Sequence, residues 1–130
     1  MSVLIDANVF VAWERGKFDL VAWLGSRDPA EFFAFPATVW QELQFGKFAW
    51  EQSRAIKRRR FLATVEHLAV VPFDRRHAER AAQLAAALKL ETIGFANLQI
   101  AATAIEERSE LLTFNTAHFG RVPGLRLARI

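Results

Sequence analysis

The sequence contains no cysteine, which excludes disulfide bonds and any cysteine-ligated zinc or iron–sulfur site. A chain of 130 residues can bury roughly two thirds of its unfolded surface without such crosslinks, so a single domain over residues 1–130 is expected. The start of the chain lacks a basic targeting region, and its apolar run stops at Asp6. The most apolar stretch, residues 32–40, is far shorter than the ~18 residues of a membrane-spanning helix. These absences predict a soluble cytoplasmic protein with no membrane partner.

The charge of the chain is mildly basic. Seventeen Lys and Arg residues against fourteen Asp and Glu give a net charge of +3 and a pI near 10.0. An ordinary soluble protein can carry this charge, and so can a protein that binds a polyanion. A basic cluster lies at residues 54–60, in which Arg54, Lys57 and Arg58 share one face of a predicted helix. The cluster is either a solvated helix face or a phosphate-binding surface.

Short apolar stretches alternate with helical patterns along the chain. The stretches predict strands at residues 3–5, 32–35, 68–71, 111–113 and 125–128, and the patterns between them predict helices at residues 8–14, 19–24, 36–45, 48–62, 75–90 and 97–107. Asn8 is expected to cap the first helix, and Gly46 to end the third. The alternation predicts an α/β fold with three α/β/α layers around a central, mainly parallel sheet.

Polar residues follow the predicted strands at the edge where parallel sheets place their functional clefts. Asp6 comes directly after the first strand, Asn115 follows the turn after Thr113, and Asn97 starts a helix. Glu42 lies in the helix that begins at Pro36. Each has an ordinary alternative: Asp6 and Asn97 can cap helices, and Glu42 can be an exposed surface residue.

Four short motifs resemble those of PIN domains, in the same order. Residues 4–9 (LIDANV) resemble the opening hydrophobic-Asp-x-Asn motif, and residues 39–46 (VWQELQFG) resemble the second motif, a helical Glu-Leu with a Gly three residues later. Residues 93–104 (IGFANLQIAATA) resemble the third, and residues 111–119 (LLTFNTAHF) the fourth. With the ending VPGL at residues 122–125, the pattern covers essentially the whole chain and is similar to VapC toxins of prokaryotic toxin–antitoxin pairs.

The resemblance implies a PIN-like fold and an endoribonuclease that depends on Mg²⁺ or Mn²⁺ in a prokaryotic cytoplasm. It implies that Asp6, Glu42 and position 97 hold the metal and that Asn115 completes the catalytic set. Magnesium takes hard oxygen ligands, commonly one or two carboxylates plus substrate phosphate, and such an ion activates a bound water. Residues expected to contact the RNA substrate or its phosphates are Asn8, Arg15, Arg54, Lys57, Arg58 and Thr113.

Asn97 departs from the family pattern, which has Asp at this position. Its amide oxygen can still ligate or hold a water, but it carries no charge. A unit charge pair at ~4 Å is worth about 4 kcal/mol at an effective dielectric of ~20, and a net loss of ~1.4 kcal/mol weakens metal binding tenfold. Glu91 precedes the break at Gly94 and matches no motif position, so it does not replace the missing charge. Reduced activity is therefore expected, through either an engineered substitution or a natural degenerate site.

The resemblance also implies a homodimer and a VapB-like antitoxin. The antitoxin's C-terminal segment is expected along a groove near residues 8–24, with exposed Trp and Phe side chains as anchors.

Two other functions fit parts of the pattern. A haloacid dehalogenase-type phosphohydrolase also begins with a strand and an Asp, but it needs a second Asp where this chain has Asn8. A non-catalytic PIN-fold module that binds RNA or protein is supported by Asn97. Metal-dependent cleavage after restoring the carboxylate would separate this module from a nuclease.

Overall fold

Five parallel strands form one sheet in the computed structural model, which describes residues 1–89 and 93–130. The strand order is β3-β2-β1-β4-β5, and every neighbouring pair is parallel. The strands are β1 (Ser2–Ile5), β2 (Phe32–Pro36), β3 (Ala69–Val71), β4 (Glu110–Leu112) and β5 (Arg126–Leu127). The predicted α/β class and parallel sheet are confirmed.

Helices cover both faces of this sheet and complete the three layers. They are α1 (Ala7–Glu14), α2 (Leu20–Gly25), α3 (Ala37–Ala49), α4 (Gln52–Val65), α5 (Arg75–Leu88), α6 (Phe95–Glu106) and α7 (Thr116–Phe119). The predicted end of the fifth helix at Leu90, like Glu91, lies outside the described residues. None of the helices in residues 1–89 and 93–130 combines the length and the apolar character needed to cross a bilayer.

The first strand lies at the centre of the sheet. Val3 of β1 is opposite Phe33 of β2 on one side and Glu110 of β4 on the other. Val3, Leu4 and Ile5 are all buried, as expected for a strand covered by helices on both faces. The carboxyl ends of β1, β2 and β4 therefore meet at one edge of the sheet, directly before Asp6, α3 and Thr113.

Several predicted helix boundaries differ from the structure. The helix predicted at residues 48–62 is α4, Gln52–Val65. Gly46 does not end α3, because the helix continues to Ala49. Asp6, not Asn8, is the N-cap of α1, and its side chain accepts a hydrogen bond from the first helical amide. Gly94, with a φ of 89°, precedes α6, so Asn97 lies within the first turn of that helix and is not its cap.

Candidate active site

Asp6 is held at the carboxyl end of β1 by both sheet and helix. Its backbone N–H donates to the carbonyl of Leu112 at 2.9 Å. Its Oδ1 accepts from the N–H of Ala7 at 2.8 Å, and its Oδ2 accepts from the Thr113 hydroxyl at 2.7 Å. Asp6 is 5% exposed, and burial raises the pKa of its carboxyl group against the opposing effect of these two hydrogen bonds. The carboxylate is therefore fixed in direction and costly to keep charged without a cation.

The Thr113 hydroxyl is the centre of the network around Asp6. It donates to Asp6 and accepts from Asn8 Nδ2 at 3.2 Å and from the Asn115 N–H at 3.0 Å. Asn8 Oδ1 in turn accepts from the N–H of Phe114 at 3.2 Å. One proton and two lone pairs are all that a hydroxyl offers, so Thr113 has none left for a phosphate. Thr113 and Asn8 thus orient Asp6 and the turn after β4, which replaces the predicted phosphate contact of Thr113.

Glu42 lies on α3 with an exposed side chain, as its ordinary alternative predicts, and it is within range of the charge of Asp6. Its pKa is raised first by partial desolvation and then by the negative charge of Asp6, while Arg58 lowers it. The two carboxylates are therefore close enough to repel each other, as expected for groups that share a cation. Glu42 also lines three neighbouring cavities. One of these, of about 350 Å³, contains Asn8, Arg15 and Lys17 as well.

The two asparagines lie at the starts of two helices, α6 and α7. Asn97 is in the first turn of α6, and its Nδ2 donates to the carbonyl of Ile93 at 2.9 Å. Its amide oxygen is therefore turned away from that carbonyl. Neighbouring residues of α6, Ala96 and Gln99, line a groove that also contains Glu42. Asn115 is the N-cap of α7, and its side chain makes no capping hydrogen bond.

The oxygen ligands predicted for this site fit a hard divalent cation, although they carry fewer negative charges than the family pattern. Among residues 1–89 and 93–130, no group of three His, Cys, Asp or Glu residues is placed to hold a metal. Asp6 and Glu42 are two carboxylates whose raised pKa values a cation would lower, and Asn97 and Asn115 are the predicted sources of neutral amide oxygens. Oxygen donors of this kind suit Mg²⁺ or Mn²⁺.

Comparison with known proteins identifies the family. The sequence matches the PIN domain family over residues 3–125. The chain belongs to the PIN domain family. No curated protein sequence matches the chain.

The fold of this PIN domain is similar to chains of solved bacterial complexes. A chain of VapBC2 from Rickettsia felis, bound to a DNA fragment from the promoter, has a TM-score of 0.87 and 24% identity, with 98% of each chain covered. A chain of VapBC-1 from nontypeable Haemophilus influenzae has a TM-score of 0.84 and 22% identity, covering 98% of this chain and 97% of the other. A chain of VapBC-5 from Mycobacterium tuberculosis has a TM-score of 0.77 and 21% identity, covering 99% of this chain and 98% of the other.

A buried ion pair connects three helices of the PIN domain next to Glu42. Arg58 of α4 is 2% exposed, and its Nε and Nη2 donate to the two carboxylate oxygens of Glu14 at 2.7 and 3.0 Å. Its Nη1 donates to the carbonyl of Leu43 on α3 at 2.9 Å. Arg58 is therefore committed to the packing of these helices, and its predicted phosphate contact is less favoured than those of exposed cations. Arg15, Arg54 and Lys57, the other predicted cations, are exposed.

Sequence reasoning missed the roles of Glu14 and Gly46. A Cβ at Gly46 would lie 2.8 Å from both Arg58 Nη1 and Trp50 Cζ3, so the glycine is needed for close packing of these side chains against α3. The only sequence indication for Glu14 is a charged residue in an otherwise apolar helix, which also describes a surface residue.

The aromatic side chains of α1 and α2 are not the exposed anchors predicted for an antitoxin. Phe10 is fully buried, and Trp13 and Trp23 are partly buried against the core. The Phe10 and Trp13 rings contact each other and Phe61 edge to face. These aromatics stabilise the domain itself.

Proposed function

We propose that this PIN domain is a metal-dependent endoribonuclease of the VapC toxin type, which hydrolyses phosphodiester bonds of RNA. The observation that carries the proposal is the buried Asp6 carboxylate, oriented at the carboxyl edge of the sheet by Ala7 and Thr113, with Glu42 within range of its charge. Two carboxylates whose charges act on each other are suited to share a cation. The named complexes with similar folds are VapBC pairs, which supports the same interpretation.

Each residue of the site has a distinct proposed task. Asp6 and Glu42 hold the divalent cation, and the amide oxygens of Asn97 and Asn115 hold waters around it. Thr113 and Asn8 keep the Asp6 carboxylate in one orientation. When bound, the cation lowers the pKa of the attacking water and offsets charge on the phosphate. With two formal negative charges where the family pattern has three, the site binds its cation less tightly, and activity is reduced.

The Asn97→Asp substitution tests this proposal most directly. An aspartate at this position cannot donate to the Ile93 carbonyl, so its carboxylate turns away from that oxygen, and an acidic residue in a first turn is favourable for α6. We expect Mn²⁺ binding to tighten about tenfold, corresponding to ~1.4 kcal/mol. Cleavage of a mixed RNA pool should also become faster. Calorimetry with Mn²⁺ and a gel assay in Mg²⁺, Mn²⁺ or EDTA measure the two effects.

A matched variant controls for nonspecific gains. Asp6→Asn in the restored protein removes one carboxylate with little change in shape, and it should abolish both gains. If the folded Asn97→Asp protein neither binds Mn²⁺ more tightly nor cuts RNA better, the nuclease proposal is wrong.

That result would favour a non-catalytic PIN module that binds RNA or protein. The specific observation in its favour is that the described part of the chain contains no three-carboxylate cluster. A phosphohydrolase of the haloacid dehalogenase type is not supported, because this chain has Asn8 where that class needs its second Asp. The side-chain nitrogen and oxygen of Asn8 both form hydrogen bonds with the turn after β4.

We further propose a VapB-like antitoxin partner and a place in a bacterial cytoplasm. The solved complexes with similar folds include VapBC pairs bound to DNA, from bacteria. A basic side chain of such a partner, placed between Asp6 and Glu42, would compete with the cation. Co-purification with the product of the gene directly upstream tests the partner, and failure of the two to associate would count against it.

A further inference from the structure

A cavity of about 410 Å³ opens beside Glu42, within the size range of small-ligand pockets, ~300–1,000 Å³. We call it the basic pocket. The end of α1, the outer face of α3, Trp50 and the first turns of α4 line it. Its charged lining residues are Glu14, Arg15, Glu42, Arg54, Lys57 and Arg58. It shares Glu42 with the candidate metal site, so a ligand in the pocket lies next to any group bound there.

The free charge of the basic pocket is positive. Glu14 and Arg58 neutralise each other in their buried ion pair. Across residues 1–89 and 93–130, the ion pairs formed with Asp and Glu do not include Arg15, Arg54 or Lys57. Three unpaired cations therefore face one carboxylate, which a bound divalent ion would itself neutralise. Such a pocket favours an anion.

The Arg54 guanidinium stacks on the Trp50 ring, which also contacts Arg58. The guanidinium carbon of Arg54 lies 4.0 Å from the centroid of the Trp50 ring, and that of Arg58 lies 4.2 Å from the same ring. Arg58 is fixed by its three hydrogen bonds, and Gly46 leaves the space that Arg58 and Trp50 occupy. A guanidinium stacked on an aromatic ring keeps its N–H groups free at its edge, in a geometry that matches phosphate oxygens. The buried ion pair thus supports a preformed anion contact.

We propose that the basic pocket binds the phosphate of the nucleotide next to the scissile bond in a single strand of RNA, an inference that rests on the proposed nuclease function. Arg54 and Lys57 are the contacts from α4, and Arg15 is the contact from the end of α1. A concave pocket between helices admits one nucleotide of a flexible strand, whereas a rigid duplex cannot bend its backbone into it. The shared Glu42 puts this phosphate beside the one that is attacked, so the pocket positions the strand.

The test compares substitutions of equal charge on one helix. Arg54→Ala and Lys57→Ala each remove a pocket cation, and Arg60→Ala removes an exposed cation of α4 that does not line the pocket. The probe is a fluorescent 2′-O-methyl RNA of mixed sequence, which resists cleavage, in Mn²⁺ at several salt concentrations. Fluorescence anisotropy gives its affinity, and thermal melting checks that each variant folds.

We expect each pocket variant to weaken binding about 3- to 10-fold, with the Arg60→Ala protein close to the unchanged chain. The slope of log affinity against log salt should fall by about 0.7 for each single-strand phosphate that a variant no longer binds. The RNA affinity of the Arg54→Lys protein should lie between those of the unchanged chain and Arg54→Ala, because lysine keeps the charge but cannot form the planar stack on Trp50. A hairpin duplex of the same composition should bind more weakly and respond less to these variants.

Affinity decreases no larger than that of Arg60→Ala would overturn the proposal. The proposal would also be overturned if the pocket variants bound RNA as the unchanged chain does but no longer captured the purified upstream gene product. That result would indicate a protein-binding pocket. Failure here is distinct from failure of the nuclease proposal. If Asn97→Asp cuts no RNA but the pocket variants still bind RNA more weakly, the pocket binds RNA in a non-catalytic module.

Discussion

Asp6 and Glu42 both have carboxyl groups that hold their protons more tightly than usual, because the pKa of Asp6 is raised mainly by burial and that of Glu42 by desolvation and the charge of Asp6. A divalent cation needs both in the charged form. We therefore expect Mn²⁺ affinity to rise with pH through the window between the ordinary and the raised pKa values, and to level off above it. Calorimetry in two buffers of different ionisation enthalpy should detect protons released on binding in that window and none at alkaline pH.

The stability of the metal-free protein should depend on pH in the opposite direction. Because the folded state binds these two protons more tightly than the unfolded state, their contribution is fully present below the ordinary carboxyl pKa and is lost as pH rises through the raised values. Asp6→Asn should flatten the fall in melting temperature over this range. A melting temperature that rises across the same window with no metal present, and does not change with Asp6→Asn, would contradict the assignment.

Residue chemistry is only partly predictable from the sequence. Asp6 follows an apolar strand and Glu42 belongs to a motif, so both can be singled out by position. Arg58 cannot be separated from Arg54 and Lys57, because helical periodicity places all three on one face. The difference depends on Glu14, which lies 44 positions earlier in the chain and meets Arg58 only in the fold.

The ion pair between Glu14 and Arg58 acts at the scale of helices, since it joins α1 to α4 while Arg58 also bonds to α3. Arg58→Met would leave the Glu14 carboxylate buried without a partner, and we expect a loss of about 3–5 kcal/mol in the free energy of unfolding. Urea denaturation measures it. The control is Arg75→Met, which breaks a pair with Glu79 whose side chains are 90% and 65% exposed, and it should change stability little.

Replacing both partners separates the cost of a lone charge from the worth of the pair. Glu14→Leu combined with Arg58→Met should recover much of the stability that Arg58→Met loses, because no charge then stays buried. If Arg58→Met costs no more than Arg75→Met, the pair does not hold the three helices together.

Helix boundaries show where local rules fail. The sequence predicts the end of the third helix at Gly46, since glycine often follows a helix end. In the structure the glycine lies within α3 and serves a tertiary contact, the approach of Arg58 and Trp50. Only the neighbouring helix explains it, and a local pattern carries no information about that neighbour. Asp6 as the cap of α1 is an alternative that the pattern leaves open, and it is correct.

At the scale of the whole molecule, α3 carries exposed apolar side chains that a homodimer would cover. Phe45 is 64% and Phe48 is 78% exposed, and both line a groove of about 660 Å³ next to α6. Exposed aromatics of this kind commonly mark an interface. We expect light scattering to show a dimer, and Phe48→Ser to shift it towards monomer.

Phe32→Ser is the matched control for the dimer prediction. Phe32 is also exposed, but it lies at the opposite, amino end of β2. Its substitution should leave the dimer intact. A strict monomer at high protein concentration would contradict the prediction.

The fold can be predicted from the sequence because it depends on a pattern that extends over the whole chain. Alternating short apolar strands and helices leave few arrangements other than a parallel sheet covered on both faces, and the clefts of such sheets have a known position. The short α7 escapes prediction, since four residues after Asn115 give too little periodicity to detect.

The central place of β1 has a consequence for how the protein is made. Residues 2–5 are synthesised more than 100 residues before one of their two sheet neighbours, β4, at residues 110–112. The hydrogen bond from Thr113 to Asp6 cannot form before Thr113 has been translated and released from the exit tunnel. A nascent or truncated chain therefore lacks the assembled site. For a protein with the proposed activity, the RNA of its own ribosome is not exposed to an assembled site until Thr113 has left the exit tunnel, and a partner can bind in that interval.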